Sequence, residues 1–411
     1  MEFVLKVKET DISNKSNFSD TSFIGLKKMF KNKNKEDNVV DVSGVKDSKK
    51  EIVISMASRY LYKFSKYQSD EMTKNKLIIY DTGSGTGVTR DCVERQKYIT
   101  YAKNLVNEPA NIATPEYICK RVKRDLISKR ITVKVYNEKE MERKGLNLVN
   151  AVGQGSSRKP RFLVMEYIGG GGKTICLCGK GVTFDAGGTN IKTGKSNSYE
   201  MKADKTGGCI VIGLMKYFSE TGARCNLIGI VPLVENVVSG TAVMPGDIIR
   251  SYSGKTVEIL NTDAEGRLIL ADAMSYSEKY NPDYVFDFAT LTGWASKLHC
   301  DTAAIYFSSN PKLHKMIDEI GEAIGERTWG MPRWLDYMEY CRSQVADLKN
   351  YDLNIDGCSN GGGYMAAMFL AHFVPPKALN NWVHFDICNN VDNHVMNVNT
   401  MNLAIHLIKR L

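Results

Sequence analysis

The stretch FLVMEYIGGGGKTICLCGKGVTFD, residues 162–185, decides the fold class. Two apolar runs, FLVMEYI (162–168) and KTICLCG (173–179), stand either side of a glycine cluster, and a shorter V-T-F run leads to Asp185. Runs of this length, rich in aromatic and β-branched residues and bounded by glycine, read as strands. They are apolar almost throughout, as expected of strands covered on both faces. Alternation puts Cys176 and Cys178 on one strand face. IGGGGKT (168–174) resembles a phosphate-binding loop, but that pattern requires glycine where Tyr167 stands, and a hairpin or turn suits it better. Further strands read at NLIGIVPLV (226–234) and YVFDFATL (284–291), with helical patterns at TGGCIVIGLMKYFSE (206–220) and after Gly266. This alternation predicts an α/β fold with a mixed, mostly parallel sheet covered by helices on both faces. Ligands bind such sheets at the carboxyl ends of the strands.

With 411 residues the chain is too long for one ordinary core, and two domains are expected: a small N-terminal α/β domain at 1–95 and a catalytic domain at 96–411. In the first, EIVISM (51–56) and KLIIYDTG (76–83) read as strands, while GSGTG (83–87) lacks the strand–helix context of a nucleotide loop. A helix is expected from Thr89 to Leu105, and Thr114-Pro115 opens another, with proline at the first helical position. MEFVLKVKETDISNK holds no apolar segment of signal-peptide length, and the run CIVIGLM (209–215) is too short for a membrane span, so a cytoplasmic location is expected. The ten cysteines show neither C-x-x-C nor zinc-knuckle spacing, and buried reduced thiols are expected. The formal charge of +9 owes much to KKMFKNKNK (27–35) and KDSKK (46–50). That charge is compatible with nucleic acid or an acidic membrane as partner. Interruption by Glu36, Asp37 and Asp41 points instead to a solvated loop.

Three charged clusters follow apolar strands or precede helices: GKGVTFDAGGTNIK (179–192), MKADKTGG (201–208) and NTDAEGRLIL (261–270). Each alone reads as a turn with a local ion pair. Together they place Asp185, Asp204, Asp263 and Glu265 beside glycine-rich turns, where unpaired carboxylates would repel one another and be costly to bury. Four negative charges match two divalent cations, for which carboxylates are suitable ligands. The six histidines show no H-E-x-x-H spacing and offer no rival site. Asp263, Glu265 and Arg267 alternate, so an extended segment would turn all three to one face.

These three blocks resemble the leucyl aminopeptidase family, the cytosolic M17-type metallopeptidases, for which NTDAEGR is close to a signature. The resemblance continues through NLVNEPAN (104–111), ATLTG (289–293), ADLKN (346–350), GGGYMAAMFL (361–370) and WVHFDI (382–387), roughly the last three-quarters of the chain. It implies an aminopeptidase that hydrolyses the N-terminal residue of a peptide through a water bridging two metals (Zn²⁺, with Mn²⁺ or Co²⁺ as alternatives). The ligands would be Lys180, Asp185, Asp204, Asp263 and Glu265, with Lys180 binding as a neutral amine. Lys192 and Arg267 would be catalytic, Lys192 facing the oxyanion and Arg267 holding a bicarbonate ion. Met201, Thr290, Gly293 and Ala366 would line a substrate pocket with a broad, leucine-like preference. The resemblance also implies a homo-hexamer acting on peptides with a free N-terminus. Three departures stand out: a shorter, lysine-rich N-terminal region, Cys388-Asn389-Asn390 in place of the usual Ala-Gly, and Asn190 where a small hydroxyl residue is common. The alternatives are a non-catalytic relative serving as a structural or DNA-binding protein, and a two-metal phosphoesterase, which usually recruits histidines and is disfavoured by histidine-poor blocks. Retention of all seven site residues favours the peptidase.

Overall fold

The computed structural model describes residues 2–6, 38–69, 76–82, 86–193, 198–299, 303–354, 362–387, 391–392 and 395–411. A small parallel sheet comes first in the chain, formed by β1 (Glu2–Lys6), β2 (Asn38–Asp41) and β3 (Lys76–Tyr80), with β3 central. Between β2 and β3 the segment EIVISM is not the expected strand: it lies inside the helix Asp47–Tyr60. Ile52, Val53, Met56 and Ala57 recur at helical spacing and pack into the small core with Val40, Leu77 and Ile79. KDSKK is likewise no loop. It begins this helix, and the buried Lys50 pairs with Asp81 at 2.9 Å. Residues 27–35, most of GSGTG and residues 388–390 lie outside the described residues.

The large sheet draws on β4 (Ile131–Tyr136), β5 (Arg161–Tyr167), β6 (Thr174–Gly179), β7 (Gly181–Asp185) and β8 (Asn226–Asn236). A hairpin, β9 (Ile248–Arg250) with β10 (Thr256–Glu258), stands apart from it. The large sheet resumes with β11 (Tyr284–Ala289), β12 (Ala304–Ser308) and β13 (Thr328–Pro332). β14 (Leu348–Lys349) pairs with β10, and β15 (Trp382–Asp386) returns to the large sheet. The order is β13-β12-β15-β11-β6-β8-β5-β4, with β7 also on β8. Most neighbours are parallel; β4–β5, β5–β8 and β12–β15 are antiparallel. The glycine cluster at 169–172 therefore does not close a hairpin. β8 sits between β5 and β6.

Side-chain alternation explains why these strands are apolar on both faces. Leu163, Met165, Leu177, Phe286 and Phe288 point into one core with the helices Thr206–Thr221 and Met401–Arg410. Phe162, Val164, Cys176, Cys178 and Val285 point into the other, against the helices Glu265–Ser277 and Gly362–Ala371. Each such large side chain contributes about 1.5–3 kcal/mol on burial. All seven cysteines among the described residues are buried free thiols.

The helix Thr86–Asn107 joins the two parts, and the 95/96 boundary expected above falls within it. Cys92 and Val93 pack in the small core, whereas Tyr98, Ile99, Ala102, Leu105 and Val106 pack in the large one. A second helix, Pro115–Asp125, opens as expected, with the Thr114 hydroxyl accepting the Tyr117 N–H.

The start of the helix Thr206–Thr221 presses on the end of β11, so closely that a methyl group on Gly207 would lie 1.9 Å from the Phe288 carbonyl oxygen. Gly207→Ala is expected to cost about 1–3 kcal/mol, as overpacking does. Gly87→Ala, in a helix with open space around it, serves as control. Equal melting temperatures for the two variants would contradict this packing.

Candidate active site

The carboxyl ends of β6, β7, β8 and β11 open on one edge of the sheet, and the charged clusters collect there. Lys180 follows β6, Asp185 ends β7, Asn236 ends β8 and Thr290 follows β11. Asp204 stands between the 3₁₀ turn Ser198–Ala203 and the helix Thr206–Thr221. Asp263 lies in a turn after β10, and Glu265 opens the helix Glu265–Ser277.

Two glycines make the approach of these segments feasible. Gly187 has φ +89°, and a Cβ there would meet the Asn190 carbonyl oxygen at 2.4 Å and Asp263 Oδ1 at 3.1 Å. A Cβ on Gly266 would lie 2.6 Å from Lys180 Cε. The glycine of NTDAEGR thus leaves room for the lysine of GKGVTFD.

Within this space each lysine lies between two carboxylates. Lys180 Nζ is 2.8 Å from Asp204 Oδ2 and 2.9 Å from Glu265 Oε1, and it donates to the Thr290 carbonyl oxygen at 2.9 Å. Lys192 Nζ is 2.8 Å from Asp185 Oδ2 and also pairs with Asp263 Oδ1. Burial alone would lower the Lys180 pKa, but the charges of Asp204, Glu265 and Asp185 outweigh it and hold the ammonium form well above the usual lysine range. Lys192 is raised against burial in the same way by Asp185, Glu265 and Asp263. Burial and the neighbouring carboxylates Glu265 and Asp185 push Asp204 up, against the pull of Lys180. Burial first, then Asp185 and Glu265, push Asp263 up to about 7.

The site fits divalent cations on its own geometry. Asp185, Asp263 and Glu265 each offer an oxygen, and these atoms lie within 4.8 Å of one another. Glu265 is 2% exposed, yet its Oε2 accepts no hydrogen bond among the described residues. A buried carboxylate oxygen without a donor is costly, and a cation would satisfy it.

Around the carboxylates runs a set of polar residues that the sequence reading did not single out. Asn236 Nδ2 donates to Asp185 Oδ1 at 2.8 Å and to the Thr262 carbonyl oxygen at 3.0 Å. The fully buried Asn350 accepts the Leu260 N–H at 2.9 Å and donates to the Asn261 carbonyl oxygen at 2.7 Å, and its own carbonyl accepts from Arg267 NH1 at 2.7 Å. A polar residue closing an apolar strand was the available signal for Asn236; Asn350 stood in the quoted ADLKN block without a role.

The alternate spacing at 263–267 has a different basis from the expected one. The chain is not extended there: Asp263 is in a turn, and Glu265 and Arg267 lie in the first helical turn. Arg267 is buried and held by the Asn350 carbonyl. Of the expected pocket residues, Thr290 is at the centre, its hydroxyl donating to Asp204 Oδ1 at 2.7 Å. The Met201 carbonyl accepts the Asp204 N–H at 3.2 Å. Gly293, which opens the helix Gly293–His299, faces open space, and Ala366 is buried in the helix Gly362–Ala371. Those two helices meet where Gly363 lies against the Trp294 ring.

The family model for the cytosol aminopeptidase family, catalytic domain, matches residues 100–404. A probable cytosol aminopeptidase of Cenarchaeum symbiosum (strain A) is 39% identical over 342 residues, covering 82% of this chain and 68% of that protein. Another, of Syntrophotalea carbinolica, is 41% identical over 317 residues, covering 76% and 62%. The chain thus spans about two thirds of the length of these relatives. Among solved structures, the cytosol aminopeptidase of Coxiella burnetii superposes with a TM-score of 0.82 at 27% identity, covering 95% of this chain and 85% of that one.

The raised pKa of Asp263 makes stability depend on pH. An unfolded aspartate releases its proton near ~3.9, whereas the folded group keeps it to about 7. Its contribution is therefore full at low pH and is lost as pH rises toward 7. In chelator-treated protein, the melting temperature of Asp263→Asn is expected to fall less between pH 5 and pH 7 than that of the unmodified chain. Parallel curves would rule out this source of pH dependence.

Proposed function

The chain belongs to the cytosol aminopeptidase family, and from that premise we propose that it is a metallo-aminopeptidase removing the N-terminal residue of peptides, with the site residues in the roles that follow. The observation that carries this reading is the convergence of Asp185, Asp263 and Glu265, with Lys180 and Lys192 interleaved among the site's carboxylates. Asp185, Asp204, Asp263 and Glu265 would hold two divalent cations, Zn²⁺ first and Mn²⁺ or Co²⁺ as alternatives, and Lys180 would join them as a neutral amine once the cations' charge had displaced the proton that the carboxylates otherwise hold on it. When bound, such ions polarise the scissile carbonyl, lower the pKa of a water and anchor the substrate's free amine.

The protein's own groups do the rest. Lys192, kept protonated by its carboxylate neighbours, supplies a fixed positive charge to the oxyanion that develops on the scissile carbonyl. Arg267, oriented by the Asn350 carbonyl, would hold a small anion, bicarbonate on this reading, which would supply proton-transfer chemistry near the leaving amine. Met201, Thr290, Gly293 and Ala366 line the pocket for the first side chain. The Thr290 hydroxyl bond to Asp204 ties that wall to the ligand set. One methylene changes discrimination by only ~1–3 kcal/mol, so the preference is leucine-like and broad. Residues 1–95 and 96–411 form its two domains, and hexameric assembly in the cytoplasm completes the reading.

Leucine amide and N-acetyl-leucine amide distinguish this function from others. Purified protein is expected to cleave only the free-amine substrate, to lose that activity on chelation and to regain it with Zn²⁺, Mn²⁺ or Co²⁺. Failure to cleave either substrate after metal refilling would overturn the proposal. For Arg267→Ala, a kcat lowered at least tenfold with unchanged metal content is expected; loss of metal from that variant would show that Arg267 serves the ligand set instead.

A further inference from the structure

The turn carrying Lys192 and the turn carrying Asp263 are far apart in sequence and are joined by one reciprocal contact. The Asn190 N–H donates to Thr262 Oγ1 at 2.8 Å, and the Thr262 N–H donates to Asn190 Oδ1 at 2.8 Å. Thr262 Oγ1 in turn donates to the Gly187 carbonyl oxygen at 2.7 Å. The Thr262 carbonyl accepts from Asn236, which also holds Asp185. Every polar group of Thr262, itself 1% exposed, is therefore engaged by residues 187–190 or by Asn236.

The turn from 186 to 192 needs such a restraint. Gly187 and Gly188 both have positive φ, a conformation glycine adopts freely but does not enforce. A single backbone bond, Lys192 N–H to the Ala186 carbonyl oxygen at 2.9 Å, closes the turn on itself. Lys192 is two residues beyond Asn190, and Asp263 follows Thr262 directly. Fixing Asn190 to Thr262 thus fixes the two backbones from which the Lys192–Asp263 pair is built. Asn190 is exposed and stands outside the core, so packing does not account for its side chain.

We propose that Asn190 is a positioning residue: its side-chain oxygen, paired reciprocally with Thr262, locks the turn of the catalytic lysine to the turn of a metal ligand. In the described contacts only its oxygen is used, as an acceptor, so aspartate can replace it and alanine cannot. The effect on turnover rests on the aminopeptidase reading; the lock itself does not. Errors of about 1 Å at a reacting centre can cost ~100-fold in rate, so loosening this turn should be visible kinetically.

The test compares Asn190→Ala and Asn190→Asp in the full chain. Hydrogen exchange of the Thr262 amide is expected to be at least tenfold faster in N190A and near the original rate in N190D, whether or not the protein turns over leucine amide. With activity established for the unmodified chain, N190A should lower kcat about tenfold, with KM within twofold and melting temperature unchanged, and N190D should restore kcat to within about threefold. Unchanged exchange in N190A would overturn the lock. Faster exchange with unchanged kcat, or a kcat loss shared equally by N190D, would overturn its positioning role. Absence of activity in the unmodified chain would count against the proposed function and leave the exchange result to decide the lock.

Discussion

Two lysine ammonium groups set among four carboxylates are the constraint around which the charged edge of the large sheet is organised. Removing such charges from water costs several kcal/mol for each ion unless partners are supplied at close range. Here Lys180 lies between Asp204 and Glu265, and Lys192 between Asp185 and Asp263, so each ammonium has a carboxyl group within reach on both sides. Only strands that finish on the same edge, with glycines where backbones and side chains cross, can bring these residues together from positions spread over 180–265. The mostly parallel sheet supplies that edge. Burial of Lys180, Asp185, Asp204 and Glu265 lets these charges act strongly on one another.

Outside this group, neutral amides and hydroxyls hold the charged side chains in place without adding charge of their own. Asn236 joins the end of β8 to Asp185 and to the Thr262 carbonyl, and Asn350 spans the segment leading to Asp263 and orients Arg267. Buried amides satisfied at both ends are suited to this task. They are directional, they fix a single geometry, and they leave the electrostatic balance to the carboxylates and lysines.

The sheet was legible because β5, β6, β8 and β11 are apolar almost throughout and helical patterns fall between β6, β8 and β11, signals that survive in a single sequence. The charged clusters were legible because chemistry restricts what can follow such strands. Errors arose where a short window hid the longer period. EIVISM, rich in β-branched residues, looks like a strand over six positions; the helical recurrence is complete only when the window reaches Ala57, so that Met56 and Ala57 repeat Ile52 and Val53. The stretch 263–267 looked extended because its charges alternate, but they span a turn and the opening of a helix. The glycines at 169–172 suggested a hairpin or turn because local sequence does not announce that β8, which begins only at Asn226, will insert between β5 and β6. Asn350 was invisible as a support because its partners are set by tertiary approach, about 90 residues away in sequence.

The helix Thr86–Asn107, half in each hydrophobic core, also bears on how the chain is made. Its first half can find Val40, Ile52 and Leu77 as soon as those residues have left the ribosome. Its second half waits for the helix Thr206–Thr221, and beyond that for Met401, Leu403 and Ile405 near the other end of the chain. Arg95 and Glu51 meet Asn402 across the same gap, at 3.1 Å and 2.9 Å. During vectorial synthesis the early unit therefore carries an uncovered apolar stripe until the last helix emerges, a surface for chaperones to shield and a reason for the two parts to finish folding together.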